Sequence, residues 1–366
     1  MIRSFRSPAA YVQGDGALNT IAEHLSPDGD KAVILADATV LGLVGHEIQT
    51  GLEASDYSVE TVEFTGACTK AEIKRITEIA EDADLIVGAG GGKALDTAKA
   101  VRVDVGGRLV TVPTIASTDA PISSLSVLYT EDGAFDRFRF HDVHPDLVLV
   151  DTGVVARGPT RFFRSGIADA LATYFEAETA VAAYAENVFE TQSTRTAHTI
   201  AQEAYETIID HGVNAVAAVE RDAVTPGVEA VVEANTLMSG IGFEGGGLAA
   251  AHAVHDGLTL LDAHGATHGE KVNIGTITQL VLEGEPTERI HQFIDLSIDL
   301  GLPATLADIG MGDATDEDLM RAAKNACDPM ETVHNEPFEV TPKMVKDALA
   351  TADRLGRERT GGGHGG

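Results

Sequence analysis

A chain of 366 residues, 44% hydrophobic and 23% charged, has a globular composition and the length of about two domains. Its 57 acidic against 26 basic side chains give a formal net charge of −31, which repels nucleic-acid phosphates and acidic membrane surfaces and so excludes both as expected partners. No apolar run approaches the ~18–20 residues that span a bilayer, and Met1-Ile2-Arg3-Ser4-Phe5-Arg6 lacks the apolar core of a signal peptide. Cys68 and Cys327 are too few and too far apart for a disulfide framework. A soluble, cytoplasmic protein is expected. Only nine of the basic residues are lysine, and the acids are spread along the chain. That pattern suits a surface kept soluble in concentrated salt, where screening reaches ~3 Å at 1 M; an ordinary acidic cytosolic protein is the alternative.

The first 150 residues alternate strand-like and helix-like patterns. Lys31–Asp37 is a continuous apolar run ending in an acid, as in a buried parallel strand. Val59–Phe64 alternates with period two, and 70–80 has helical spacing through Ile73, Ile76 and Ile79. Asp84–Gly88, Arg108–Pro113 and Asp146–Asp151 read as further strands. Strands separated by helices predict βαβ units and a mostly parallel sheet. After Pro159 the strand-like runs stop, and helices are predicted over 165–183, 196–210, 228–240, 248–257 and 269–282. The expected division is an α/β domain over 1–158, a helical domain over 159–359 and a disordered tail over 360–366.

Val87-Gly88-Ala89-Gly90-Gly91-Gly92-Lys93 followed by Ala94-Leu95-Asp96-Thr97-Ala98-Lys99 reads as strand, glycine-rich turn and helix start. Glycines let backbone N–H groups approach a phosphate at a helix N-terminus, and Lys93 adds a full charge. A P-loop is excluded, because no Ser or Thr follows the Gly-Lys pair, and Lys93 stands where the dinucleotide fingerprint has its last glycine. Asp37, at a strand end, is placed either to hold a ribose diol, favouring NAD over NADP, or to cap a helix.

Four of the 13 histidines, His252, His255, His264 and His268, fall in one short stretch. Helical spacing puts His252 and His255 on neighbouring positions of one face. Two histidines on a helix and a third beyond a loop fit a catalytic divalent-metal site with a carboxylate among its ligands, or structural histidines. Asp169 sits in the apolar run Gly166-Ile167-Ala168-Asp169-Ala170-Leu171. A carboxylate buried there needs a cation or a partner; as a first-turn acid it would instead suit the helix dipole.

Taken together, these segments resemble the glycerol dehydrogenase family, within the iron-activated, often zinc-dependent, alcohol dehydrogenases. The resemblance is carried by Ser7-Pro8, Tyr11-Val12-Gln13-Gly14, Gly90-Gly91-Gly92-Lys93, Pro113-Thr114-Ile115-Ala116-Ser117-Thr118-Asp119-Ala120-Pro121 and Gly166-Ile167-Ala168-Asp169. It continues through Glu233-Ala234-Asn235-Thr236, the segment 245–255, His268-Gly269-Glu270-Lys271 and Glu331-Thr332-Val333-His334-Asn335, in the family's order over nearly the whole chain.

The resemblance implies a dehydroquinate synthase-like architecture: a Rossmann-like α/β domain, an all-helical domain, and an active site in the cleft between. It implies Asp169, His252 and His268 as metal ligands, with Zn²⁺, or else Fe²⁺, as the ion. Gly91, Gly92, Lys93 and Asp96 are assigned to cofactor binding with the pyrophosphate turn, and Asp37 to the adenosine ribose. Thr114, Ser117, Ser123, Leu125 and Tyr129 match positions at the nicotinamide end of NAD. Asp119 matches a substrate-contacting acid, and His255 a second active-site histidine able to relay a proton. The implied activity is NAD-dependent oxidation of glycerol, or a related 1,2-diol, to dihydroxyacetone, by a homo-oligomer that relatives build as an octamer. Glycerol-1-phosphate dehydrogenase and a lyase resembling dehydroquinate synthase are the alternatives; both require basic side chains for a phosphorylated or acidic substrate, and the histidine-bearing half has few beyond Lys271. Gly245 stands where relatives usually have serine, and the tail after Arg359 has no counterpart in the family.

Overall fold

The computed structural model describes residues 2–25, 29–261 and 265–361. Eight strands run in chain order: β1 (Tyr11–Gly14), β2 (Lys31–Ala36), β3 (Ser58–Glu63), β4 (Leu85–Gly90), β5 (Arg108–Pro113), β6 (Leu125–Tyr129), β7 (Phe135–Phe140) and β8 (Leu147–Asp151). Six of them form one parallel sheet in the order β1-β8-β5-β4-β2-β3, and β6 with β7 makes a separate antiparallel hairpin. The parallel sheet is buried on both faces. Ala32, Ile34 and Ala36 of β2 join one apolar cluster with Ile48, Val87 and Leu149, while Val33 and Leu35 join another with Ile73, Ile76, Ile86 and Val101. Two-sided burial explains why β2, β4 and β8 read as continuous apolar runs rather than as alternating ones.

The described chain forms two compact units. The sheet unit comprises Arg6–Phe163 and Ala217–Gly240, and the helical unit takes the remaining described residues. The expected division placed a single boundary after residue 158, whereas the sheet unit also takes in 217–240. The helix Pro226–Glu233 joins the sheet unit because Glu229 collects its polar groups. Gln13 Nε2 on β1 donates to Glu229 Oε2 at 2.7 Å, and Thr152 Oγ1 donates to Glu229 Oε1 at 2.7 Å. Helical periodicity alone does not reveal which sheet a helix serves.

In the helical unit, Ala250–Thr259, His268–Leu282, Asp316–Ala326 and Pro342–Gly361 surround a core that includes Val254, Leu258, Ile274, Leu319, Val345 and Leu349. Small residues set the helix spacing there. A Cβ on Gly275 would lie 2.2 Å from the Ala251 carbonyl oxygen, so only glycine permits that approach. Pro342–Gly361 carries helix through Thr360 and Gly361, two residues expected to start the tail; residues 362–366 lie outside the described residues. No described helix is long and apolar enough to cross a membrane.

Candidate functional site

Three helices of the helical unit converge on a small set of polar side chains. Thr160–Ala182 carries Asp169, Ala250–Thr259 carries His252 and His255, and His268–Leu282 begins with His268. The first helix starts five residues earlier than its apolar pattern suggested, so Asp169 lies in its interior rather than in its first turn. That removes the helix-dipole explanation, and only 1% of Asp169 is exposed. Ala172, Ala251 and Val272, one from each helix, meet in a buried cluster that brings the three backbones close. A capping box fixes the third entry point: Thr267 Oγ1 accepts from the Glu270 N–H, and Glu270 Oε2 accepts from the Thr267 N–H. His264 lies outside the described residues.

The ligand candidates converge on one point. Asp169 Oδ1 is 3.3 Å from His252 Nε2 and 3.0 Å from His268 Nε2, and one donor atom from each of the three lies within 4.8 Å of the others. Asp169 Oδ2 is buried with no hydrogen-bond partner among the described residues. Burial alone raises a carboxyl pKa, but His268 and His252 outweigh it and hold Asp169 below the usual carboxylate range. Burial likewise works to lower His252, and the Glu176 and Asp169 carboxylates overcome it and raise that imidazole well above its ordinary value. An orphaned buried carboxylate oxygen beside two imidazole nitrogens is a nitrogen–oxygen donor set suited to Zn²⁺ or Fe²⁺. The residues fit a divalent cation. His255 has both ring nitrogens engaged, Nδ1 by Asp256 Oδ1 at 2.9 Å and Nε2 by His268 Nδ1 at 3.1 Å. Burial, then the neighbouring His268, lowers its pKa to about 4.

In the sheet unit, β4 ends in the glycine turn and the helix Gly92–Val105 follows. Gly90 has φ +136°, a conformation side-chain-bearing residues rarely adopt. Gly91 caps the helix with no side chain on its N-terminus, and a Cβ there would press on Ile115 Cδ1 at 3.0 Å. The N–H groups of Gly92 and Lys93 fall in the first helical turn, where none has an intrahelical partner. Lys93 Nζ stands 4.8 Å from the Tyr129 ring centroid, bringing together two residues expected to bind cofactor. Asp37 Oδ1 accepts from the N–H groups of Thr39 and Val40, so this carboxylate caps the short helix that follows β2.

The remaining cofactor candidates divide. Thr114 follows β5 with its N–H on the Gly90 carbonyl, and it is buried, as are Ser117 and Leu125. Asp96 and Ser123 turn inward instead. Asp96 Oδ1 pairs with Lys99 Nζ at 2.8 Å, Asp96 Oδ2 accepts from the Val127 N–H, and Ser123 Oγ accepts from Lys99 Nζ at 2.9 Å. Their polar atoms tie the helix to the segment leading into the hairpin. Asp119 is half-buried, in the turn after Thr118, and its backbone carbonyl accepts from the Ile122 N–H. Asn235, part of a noted motif but given no role from sequence, pins this loop: its Nδ2 donates to the carbonyls of Ala116 and Phe163 at 3.2 Å.

Sequence reasoning passed over two acids beside the histidines, Glu176 and Asp256. Glu176 follows Asp169 by seven residues, two helical turns along the same face, and Asp256 directly follows His255. Both signals were there to be read.

The model of the iron-containing alcohol dehydrogenases matches residues 8–152. A protein of Halobacterium salinarum described as glycolaldehyde reductase is 53% identical over 98% of this chain and 99% of its own length. Glycerol dehydrogenase of Thermotoga maritima is 48% identical over 98% of this chain and 99% of its own. The chain belongs to the iron-containing alcohol dehydrogenase family. The crystal structure of another such relative, glycerol dehydrogenase from Schizosaccharomyces pombe, superposes with a TM-score of 0.94 at 36% identity, covering 98% of this chain and 93% of that one. The parallel-sheet and helical architecture expected of the chain is therefore that of its family.

Proposed function

We propose that this chain is an NAD-dependent oxidoreductase that oxidises glycerol to dihydroxyacetone, using a divalent cation held by Asp169, His252 and His268. The observation that carries the proposal is the convergence of two imidazole Nε2 atoms on Oδ1 of the buried Asp169 carboxylate, whose other oxygen has no hydrogen-bond partner among the described residues, in a chain nearly half identical to a glycerol dehydrogenase along its whole length. The balanced reaction converts glycerol and NAD⁺ to dihydroxyacetone, NADH and a proton. When bound, the cation supplies positive charge that lowers the pKa of the hydroxyl at C2. NAD⁺ held at the glycine turn would supply the hydride acceptor.

The chain's own groups do the rest. Asp169 and the two imidazoles would hold the cation. The N–H groups of Gly92 and Lys93 and the Lys93 ammonium bind the pyrophosphate, and Asp37 the adenosine ribose. Thr114, Ser117, Leu125 and Tyr129 border the nicotinamide, and Asp119 accepts a hydrogen bond from a second substrate hydroxyl. Homo-oligomeric assembly and cytoplasmic placement belong to the same proposal.

The Halobacterium relative favours a second reading, in which a small hydroxyaldehyde is reduced by NADH to its diol. Both readings share one site and differ in the substrate and direction that predominate. The test compares kcat/KM for glycerol with NAD⁺ and for glycolaldehyde with NADH, with glycerol 1-phosphate as control. The proposal expects robust turnover of glycerol and none of the phosphate. Turnover of glycolaldehyde alone transfers the function to the second reading, and turnover of the phosphate alone contradicts both.

A further inference from the structure

Two carboxylates stand one step behind the ligand candidates. Glu176 has no exposed surface. Its Oε1 accepts the N–H groups of Ala249 and His252, each at 3.0 Å, and its Oε2 meets His252 Nδ1 at 2.5 Å. Asp256 Oδ1 meets His255 Nδ1 at 2.9 Å, and His255 Nε2 meets His268 Nδ1 at 3.1 Å.

Hydrogen counting then fixes the tautomer each ring takes when it is neutral. An ionised carboxylate only accepts, so Nδ1 of His252 and Nδ1 of His255 both carry hydrogen. In a neutral ring His255 Nε2 is then a lone pair, and the hydrogen of its contact with His268 must sit on His268 Nδ1. With both rings neutral, as metal binding requires, Nε2 of His252 and Nε2 of His268 are left as lone pairs, and both face Asp169 Oδ1 at 3.3 and 3.0 Å. Two lone pairs and a carboxylate oxygen directed at one point repel unless positive charge lies among them, either a metal cation or protons on the ring nitrogens. Reversing the tautomers would satisfy Asp169 but leave ring lone pairs against Glu176 and Asp256.

We infer that Glu176, acting directly on His252, and Asp256, acting through His255 on His268, are positioning residues that hold both imidazoles in the metal-binding tautomer. The inference rests on the cation site proposed above. It also gives His255 a place in the site without contact with substrate, since neither ring nitrogen is free to make one. Outer hydrogen bonds of this kind orient a ligating imidazole and raise its basicity.

The test is the zinc dissociation constant of the full-length protein, measured by competition with a chromophoric chelator. The NAD⁺ dissociation constant and the melting temperature of the zinc-free protein are followed alongside. E176A and D256A are each expected to weaken zinc binding about 10–100-fold, with NAD⁺ affinity unchanged in both and the melting temperature unchanged in D256A. D256A should have no further effect in an H255A background, because its only route to the site is then gone. E176A can fail to fold, since it empties a buried position; E176Q keeps an acceptor oxygen without the charge and should still weaken zinc several-fold. Undiminished zinc affinity in E176Q, or in D256A, overturns the assignment for that residue. An Asp256 effect that survives the loss of His255 overturns the relay. Affinity lost in step with the melting temperature in E176Q or D256A marks packing and overturns the positioning role. Wild-type protein that does not hold zinc contradicts the cation site itself, a separate failure.

Discussion

His141 shows how burial sets the behaviour of one side chain. It is 7% exposed, Nε2 shares a hydrogen bond with Ser126 Oγ at 2.9 Å, and Nδ1 is buried without a partner. Burial, with Lys99 and Arg139 nearby, lowers its pKa from 6.5 to about 3. Between those values the unfolded chain takes up a proton that the folded chain refuses. Stability therefore falls as pH drops through that window, by up to about 1.4 kcal/mol per pH unit, and is unaffected by this group above it. Denaturant melts from pH 7 to pH 4 should show H141Q losing less stability than the wild-type chain; parallel curves would remove His141 from the acid response. At the same scale, the glycine turn, Lys93, the histidine pair and Asp169 were legible in the sequence because each breaks its local pattern. The inward turn of Asp96 and Ser123 was not, because a strand-to-helix segment looks the same whether its carboxylate meets a cofactor or the buried ammonium of Lys99.

Helices and strands were legible in proportion to how regular their burial is. β2, β4, β5 and β8 are buried throughout or nearly so, and their apolar runs mark them within two residues at either end. β7 went unseen because Phe135, Phe138 and Phe140 are exposed and interleaved with Asp136, Arg137 and Arg139. The stretch expected as one helix over 228–240 is broken by a π-helical turn at Ala234–Met238, which holds Asn235. Such turns place side chains off the 3.6-residue register that sequence patterns detect. The element-scale prediction concerns the helices that carry His252 and His268. Alanine at position 275 gains about 0.8–1 kcal/mol of helix propensity, but its Cβ would lie 2.2 Å from the Ala251 carbonyl oxygen. Separating two packed backbones outweighs that gain, by a net ~1–2 kcal/mol within the usual range for overpacking. G275A should lower the denaturant midpoint and weaken zinc binding together. A stabilised G275A with intact zinc affinity would show that the helices have slack there.

The whole molecule carries a charge problem that no single contact resolves. Even with every basic side chain paired, the net −31 remains, so acid–acid repulsion opposes the folded state at low salt. Raising KCl from about 0.1 M to about 1 M shortens the screening length from ~10 to ~3 Å. The melting temperature should rise over that range, and a flat or falling profile would show that this surface does not need salt. Fold class was readable at this scale, because alternating strands and helices followed by helices alone admit few architectures. The assignment of 217–240 to the sheet unit was not, since Glu229 meets Gln13 and Thr152 only in three dimensions.

In the reaction proposed above, turnover depends on a divalent cation at Asp169, His252 and His268. Glycerol-dependent NADH formation, followed before chelation, after chelation and after zinc is restored, tests it most directly. Activity should be lost to the chelator, return with about one zinc per chain, and not return in H252A or D169A, while both variants still bind NAD⁺. Turnover indifferent to chelation would contradict it.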